Sequence, residues 1–156
     1  MALDQETLNQ FVDSVRRYVR DRLVPLEMQV AEEDRIRDDV IDELKELGLF
    51  GLSIPEEFGG LGLNMAEEAA IIQEMGYTSP VFRSMFGTNV GIGSQGIIID
   101  GTAEQKARYL PKLATGELIG SFALTEADAG SDAGSVMTSA RREGDDYIIN
   151  GAKRYI

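Results

Sequence analysis

Eight consecutive residues hold the densest chemistry in this sequence: Thr125, Glu126, Ala127, Asp128, Ala129, Gly130, Ser131 and Asp132. Two hydroxyls and three carboxylates are separated only by Ala and Gly. Small residues let a ligand approach the backbone closely. Exposed N–H groups beside Thr and Ser hydroxyls suit a cofactor that carries carbonyls and phosphates. Glu126, Asp128 and Asp132 could instead hold Ca²⁺, but their spacing does not match an EF-hand loop. Composition alone favours a plain solvated turn, because Asp, Gly and Ser dominate such turns.

Other chemistry is excluded by what the chain lacks. It has no His and no Cys. A Ser-His-Asp triad, an imidazole or thiolate metal ligand and a disulfide are therefore impossible within it. Acid–base work would fall to carboxylates, Lys or Tyr. The formal net charge of -12 argues against a nucleic-acid partner, which needs clustered Lys and Arg. It leaves room for an anionic cofactor held by backbone N–H groups. No GxGxxG follows a strand: Gly91-Ile92-Gly93 lacks the third glycine in register, and no Walker A sequence occurs. A nucleotide would not be held in the Rossmann or P-loop manner. No apolar run is long enough to span a bilayer. Met1-Ala2-Leu3-Asp4 has neither a basic n-region nor an apolar h-region, so the expectation is a cytoplasmic protein.

The elements that position the acidic loop are mostly helices. Leu8, Phe11, Val12, Val15, Val19 and Leu23 recur at helical spacing after an N-cap at Asp4, and Pro25 closes or kinks the element. A short helix is predicted over residues 26–32. Val40, Ile41, Leu44 and Leu47 form the next stripe, with Gly48 as its stop. Residues 49–63 combine glycines with Leu, Ile and Phe, the pattern of a loop anchored on the surface of a helical core. Asn64 with Glu67, and Thr102 with Gln105, are capping boxes. Ser79-Pro80 opens a helix. Residues 86–99 read as one buried central helix, with a parallel-sheet strand as the alternative. After Gly116 the period shortens. Residues 118–124 and 147–149 read as strands, 136–142 alternates weakly, Gly144-Asp145-Asp146 is a turn, Asn150-Gly151 is a hairpin signal, and 153–156 opens another strand. The predicted fold is mainly α with a small β portion: an N-terminal helical bundle over residues 1–116, then the first strands of a truncated antiparallel β-barrel domain over 117–156.

Four segments in order resemble the acyl-CoA dehydrogenase family, and together they span nearly the whole chain. Phe122-Ala123-Leu124-Thr125-Glu126 through Gly130-Ser131-Asp132 resembles its aromatic-x-x-Thr-Glu-Pro-x-x-Gly-Ser-Asp signature. Leu47-Gly48-Leu49-Phe50-Gly51 with Pro55-Glu56-Glu57-Phe58-Gly59-Gly60 resembles its early helix-loop segment. Gly101-Thr102-Ala103-Glu104-Gln105-Lys106, followed by Tyr109-Leu110-Pro111 and Gly116-Glu117, resembles the helix leading to the flavin loop. Asn150-Gly151-x-Lys153 and Tyr155 resemble the strand that touches the flavin next.

The resemblance implies a three-domain flavoprotein that binds FAD and desaturates an acyl-CoA thioester at the α,β position. It passes electrons to an electron-transferring flavoprotein and assembles as a homodimer or homotetramer. It implies that Phe122, Ala123, Leu124 and Thr125 line the flavin, with the Leu124 backbone and the Thr125 hydroxyl at its pyrimidine edge. Gly130 and Ser131 would sit where FAD meets CoA, with Ser131 touching both cofactor and substrate. Tyr155 and Ile156 would reach the flavin from the following strand, although Tyr155 reads equally as an aromatic packed in the barrel. The family's catalytic glutamate matches no carboxylate here, and Glu126 occupies a structural position. Two departures stand out: Ala127 replaces the usual Pro, which makes the loop less stiff, and Asp128 adds charge where small neutral residues are common. An acyl-CoA oxidase of the same superfamily shares these features. A non-catalytic helical module that binds a partner or lipid-like ligand through residues 49–63 is the reading from a different class.

Overall fold

A computed structural model describes residues 3–156, so Met1 and Ala2 of the N-terminal tetrad lie outside the described residues. The chain is mainly helical with a small antiparallel β portion. It divides into two compact units, Met1–Gly120 and Ser121–Ile156.

The first unit begins with α1 (Gln5–Tyr18), where the Asp4 carboxylate accepts the Thr7 N–H at 2.8 Å. This cap satisfies one of the four N–H groups left unpaired at a helix start. Val15, Val19 and Leu23 are fully buried, as their spacing predicts. Pro25 has no N–H to bond back along the helix. The ladder adapts rather than stopping: it widens in a π turn (Val19–Leu23), tightens in a 3-10 turn (Val24–Leu26) and continues into α2 (Glu27–Glu33). Then follow α3 (Asp38–Glu46) and α4 (Met65–Met75). Gly48 adopts φ 73° after α3, the left-handed stop its position predicts. Arg16 on α1 makes a two-pronged pair with Glu74 on α4, at 3.1 and 2.8 Å. Arg22 grips Glu43 of α3, which also accepts the Tyr18 hydroxyl at 2.9 Å.

Residues 49–63 depart from the expectation of a surface-packed loop. Leu49, Phe50, Leu52 and Ile54 are 0% exposed and belong to the core. A loop can be buried only when its backbone groups find partners. Here the loop bonds to itself: Leu61 N–H to Gly51 O, Gly62 N–H to Ile54 O, and Leu63 N–H to Leu52 O, all within 2.9 Å. The Phe50 ring meets Phe86 edge to face, with centroids 6.2 Å apart.

Residues 86–99 do not form one central helix, nor a strand. The segment breaks into the end of α5 (Pro80–Val90), a turn, and α6 (Gln95–Asp100). Gly91 takes φ -102° and ψ -114°, outside the helical region. Its break is supported from outside, because the Ser53 hydroxyl donates to the Val90 carbonyl. The last helix, α7 (Ala103–Ala114), starts at the Thr102–Gln105 capping box and buries Leu110 and Leu113 against Ile54.

In the second unit, β1 (Ser139–Glu143) and β2 (Asp146–Asn150) pair antiparallel, with Ser139 opposite Asn150 and Glu143 opposite Asp146. Gly144 turns the chain at φ 65°. The strands expected over residues 118–124 and 153–156 are not formed, and Asn150-Gly151 is not a hairpin turn. A strand needs a ladder, and 121–126 shares only one backbone bond with 153–156, Arg154 N–H to Thr125 O at 2.8 Å. Tyr155, at φ 60°, also leaves the extended region.

Two glycines give a matched test of the buried loop. A Cβ on Gly60 would lie 2.0 Å from the Ile54 carbonyl oxygen, whereas one on Gly96 in α6 would meet nothing within 4 Å. Gly60→Ala should destabilise by about 1–3 kcal/mol through overpacking. Gly96→Ala should stabilise by about 0.5–1 kcal/mol through reduced backbone freedom. Urea unfolding midpoints of the two variants check the opposite signs.

Candidate functional site

The acidic loop is built around Glu126. It is 9% exposed, and its carboxylate accepts four donors from two directions. On one side are the Met137 N–H at 2.7 Å, the Thr138 N–H at 3.0 Å and the Thr138 hydroxyl. On the other is the Lys153 ammonium at 2.8 Å. Residues 137 and 138 precede β1, and residue 153 follows β2. One carboxylate therefore ties the loop to both feet of the hairpin. Lys153, foremost, and then the Thr138 hydroxyl hold the Glu126 carboxyl down at about 2, from an ordinary value of 4.5. A carboxyl held that low lacks the basicity for proton abstraction.

Gly151 explains itself here. A Cβ at that position would fall 2.1 Å from the Thr138 hydroxyl oxygen. The residue is small because Thr138 must reach past it to Glu126. Its role is close approach, not the hairpin turn its sequence context suggests.

The site residues predicted from sequence fall into two groups. Leu124 and Thr125 are joined to the segment that carries Tyr155 and Ile156. The Leu124 carbonyl accepts Lys153 Nζ at 2.9 Å, and the Thr125 carbonyl accepts the Arg154 N–H. Both carbonyls are thus taken inward. Among the described residues, the Leu124 N–H, the Thr125 N–H and the Thr125 hydroxyl have no partner. Phe122, Tyr155 and Ile156 are 50%, 90% and 60% exposed. Ala123 is exposed as well.

Gly130 and Ser131 lie further along the loop, and no hydrogen bond among the described residues draws them to Tyr155 or Ile156. Both are exposed. A Cβ at Gly130 would meet nothing within 4 Å, and the Ser131 hydroxyl has no partner among the described residues. Asp132 is occupied locally by the Ser135 hydroxyl at 2.6 Å. Thr138, Arg154 and the role of Lys153 were not legible as site features. The Lys within Asn150-Gly151-x-Lys153 was the one available signal.

Known proteins match this chain along its length. A family model described as "Acyl-CoA dehydrogenase, N-terminal domain" matches residues 5–117. The chain belongs to the acyl-CoA dehydrogenase family. It is 38% identical to (2S)-methylsuccinyl-CoA dehydrogenase of Cereibacter sphaeroides, over 99% of this chain and 28% of that protein. It is similar to a solved acyl-CoA dehydrogenase complexed with FAD from Bacillus anthracis, with TM-score 0.83 and 35% identity, covering 96% of this chain and 26% of that one. A glutaryl-coenzyme A dehydrogenase in complex with glutaryl-CoA superposes with TM-score 0.87 at 31% identity, covering 98% of this chain and 39% of that one. The chain thus spans well under half the length of these family members.

The Glu126 tie has a definite pH response. Its folded pKa lies below the ordinary value, so its contribution is complete above pH 4.5 and is lost as pH falls toward 2. Met137 and Thr138 amide resonances should titrate with a midpoint near 2, and Glu126→Gln should abolish that titration. A midpoint near 4.5 in the wild type would show that the carboxylate is not tied. Gly151→Ala should move the midpoint upward by displacing Thr138.

Proposed function

We propose that this chain is the N-terminal part of an FAD-dependent acyl-CoA dehydrogenase that desaturates an acyl-CoA thioester at the α,β position. The observation that carries the reading is the polarity of residues 124–125. Their carbonyls are turned inward to Lys153 and Arg154, and their N–H groups and the Thr125 hydroxyl are left as donors. Such a strip fits the acceptor-rich pyrimidine edge of a flavin. The exposed rings of Phe122 and Tyr155 offer flat apolar surface for its ring system. Gly130 leaves its backbone open to a phosphate, and the Ser131 hydroxyl is free to serve cofactor and thioester together. When bound, FAD supplies the two-electron acceptor that the desaturation requires.

Within that reaction these residues bind and orient. Donors fixed at the pyrimidine edge stabilise negative charge that develops there, without reorganising at the moment of reaction. The exposed Phe122 ring would shield a bound ring system from water. Proton abstraction is assigned to a carboxylate beyond these residues, since the most enclosed loop carboxylate, Glu126, is fully engaged. The isolated chain is accordingly proposed to be inactive. The acyl-CoA substrate, an electron-transferring flavoprotein as acceptor, and a homodimeric or homotetrameric assembly follow from family membership and belong to the same proposal.

The test is made on the full-length protein. It should be yellow, and anaerobic acyl-CoA should bleach its flavin absorbance. Colourless protein that takes up no added FAD would sink the reading, and rapid turnover with O₂ alone would move it to an oxidase. Thr125→Ala should lower kcat roughly ten- to a hundredfold, the usual worth of one hydrogen bond to a charged group. Steady-state kinetics with flavin content measured alongside would check this.

A further inference from the structure

We propose that Asn89 is a positioning residue for the flavin loop, acting through the chain segment that enters it; the inference rests on the FAD reading above. Asn89 sits near the end of α5 and is 0% exposed. Its Nδ2 donates to the Leu113 carbonyl at 2.9 Å and to the Leu118 carbonyl at 2.8 Å. Its Oδ1 accepts the Gly120 N–H at 2.6 Å. One side chain thus binds the last turn of α7 and two points on the chain that leaves it.

The amide is matched to this duty. Two donors and an acceptor on one short side chain are available only from an amide. An Asp would set a carboxylate against two carbonyl oxygens, and an apolar residue would leave the buried carbonyls without their donors. The anchor end is rigid, because Phe86 and Val90 on the same helix are buried in the core. The held end has little else to hold it beyond packing of Gly120 against Gly93. Residues 118–120 form no strand, and their backbone bonds besides those to Asn89 reduce to Leu118 N–H with Lys112 O at 3.0 Å. Phe122 lies two residues past Gly120, at most about 7 Å of chain. Releasing Gly120 therefore frees the approach to the donor strip at Leu124 and Thr125, while leaving the loop's own Glu126 tie intact.

The experiment uses the full-length protein as Asn89→Ala, Asn89→Asp and a control, Val19→Ala, a buried core truncation in the helix α1 extension. FAD affinity is read by flavin fluorescence, the flavin environment by visible circular dichroism, and overall stability by the thermal midpoint of flavin-free protein. Both Asn89 variants should weaken FAD binding roughly tenfold or more and alter the visible dichroism. Val19→Ala should lower the thermal midpoint with FAD affinity within about twofold of wild type. Wild-type affinity and dichroism in the Asn89 variants, or equal weakening in Val19→Ala, would overturn the proposal. One measurement needs no variant: the Gly120 amide of flavin-free wild type should be protected from hydrogen exchange, and exchange at the rate of an open amide would overturn it equally. A wild type that takes up no FAD defeats the cofactor reading and this inference together. An FAD-binding wild type with unaffected variants defeats this inference alone.

Discussion

A single carboxylate with four donors fixes the loop on which the proposed site is built. The loop over residues 121–132 has no strand ladder and little backbone bonding of its own, chiefly Glu126 N–H to Ala129 O at 2.8 Å. A segment so poor in internal bonds stays ordered only if a side chain supplies what the backbone does not. Glu126 does so by reaching both feet of the β1–β2 hairpin. The Lys153 ammonium adds a second hold by bonding the Leu124 carbonyl. The ion pair is therefore less a source of stability than a device for register. It determines which backbone atoms of residues 124–125 face inward and which remain as donors.

The two units are held by different physics. The first relies on apolar burial, with a core of Val15, Leu23, Leu44, Phe50, Ile71, Phe82 and Phe86 at 0% exposure. Its ion pairs lie towards the surface, and Arg16 with Glu74 reaches furthest in, joining a half-exposed guanidinium to a buried carboxylate. The second unit has only Glu126 and Ala129 buried, and both β-strands are exposed along their length. Its order depends on hydrogen bonds rather than on a core. Asn89 combines the two modes, since it is a polar node held inside the apolar unit. It converts the stiffness of α5 into a fixed exit for residues 118–120.

What was legible in the sequence was local. The caps at Asp4, Asn64 with Glu67, and Thr102 with Gln105 each involve residues within one turn, and all three formed. The β1–β2 hairpin was legible because Gly144 supplies the positive φ that its turn requires. What was missed depends on distant partners. Nothing near Glu126 announces Lys153, 27 positions away. The break at Gly91 needs Ser53, 37 positions earlier, to cap Val90. Residues 118–124 have strand composition, yet strand formation is decided by a neighbouring ladder. The first part of that stretch spends its polar groups on Asn89 instead. Gly151 misled in a different way: its glycine signals close approach to Thr138, and the local sequence cannot separate that from a turn.

The same bonding bears on how a chain of this net charge would meet the anionic cofactor proposed for it. The chain carries a formal charge of -12, and the one Lys at the loop is spent on Glu126. What the loop offers is therefore hydrogen-bond direction rather than charge. Leu124 and Thr125 keep N–H donors that a neutral carbonyl would accept without a counter-charge. The exposed Asp128 carboxylate, two residues from the open backbone of Gly130, would oppose a phosphate there. The Asp132 carboxylate bonds to the Ser135 hydroxyl, and the Ser131 hydroxyl has no partner among the described residues. On the FAD reading proposed above, a loop built this way would suit the ring system of a flavin better than its diphosphate.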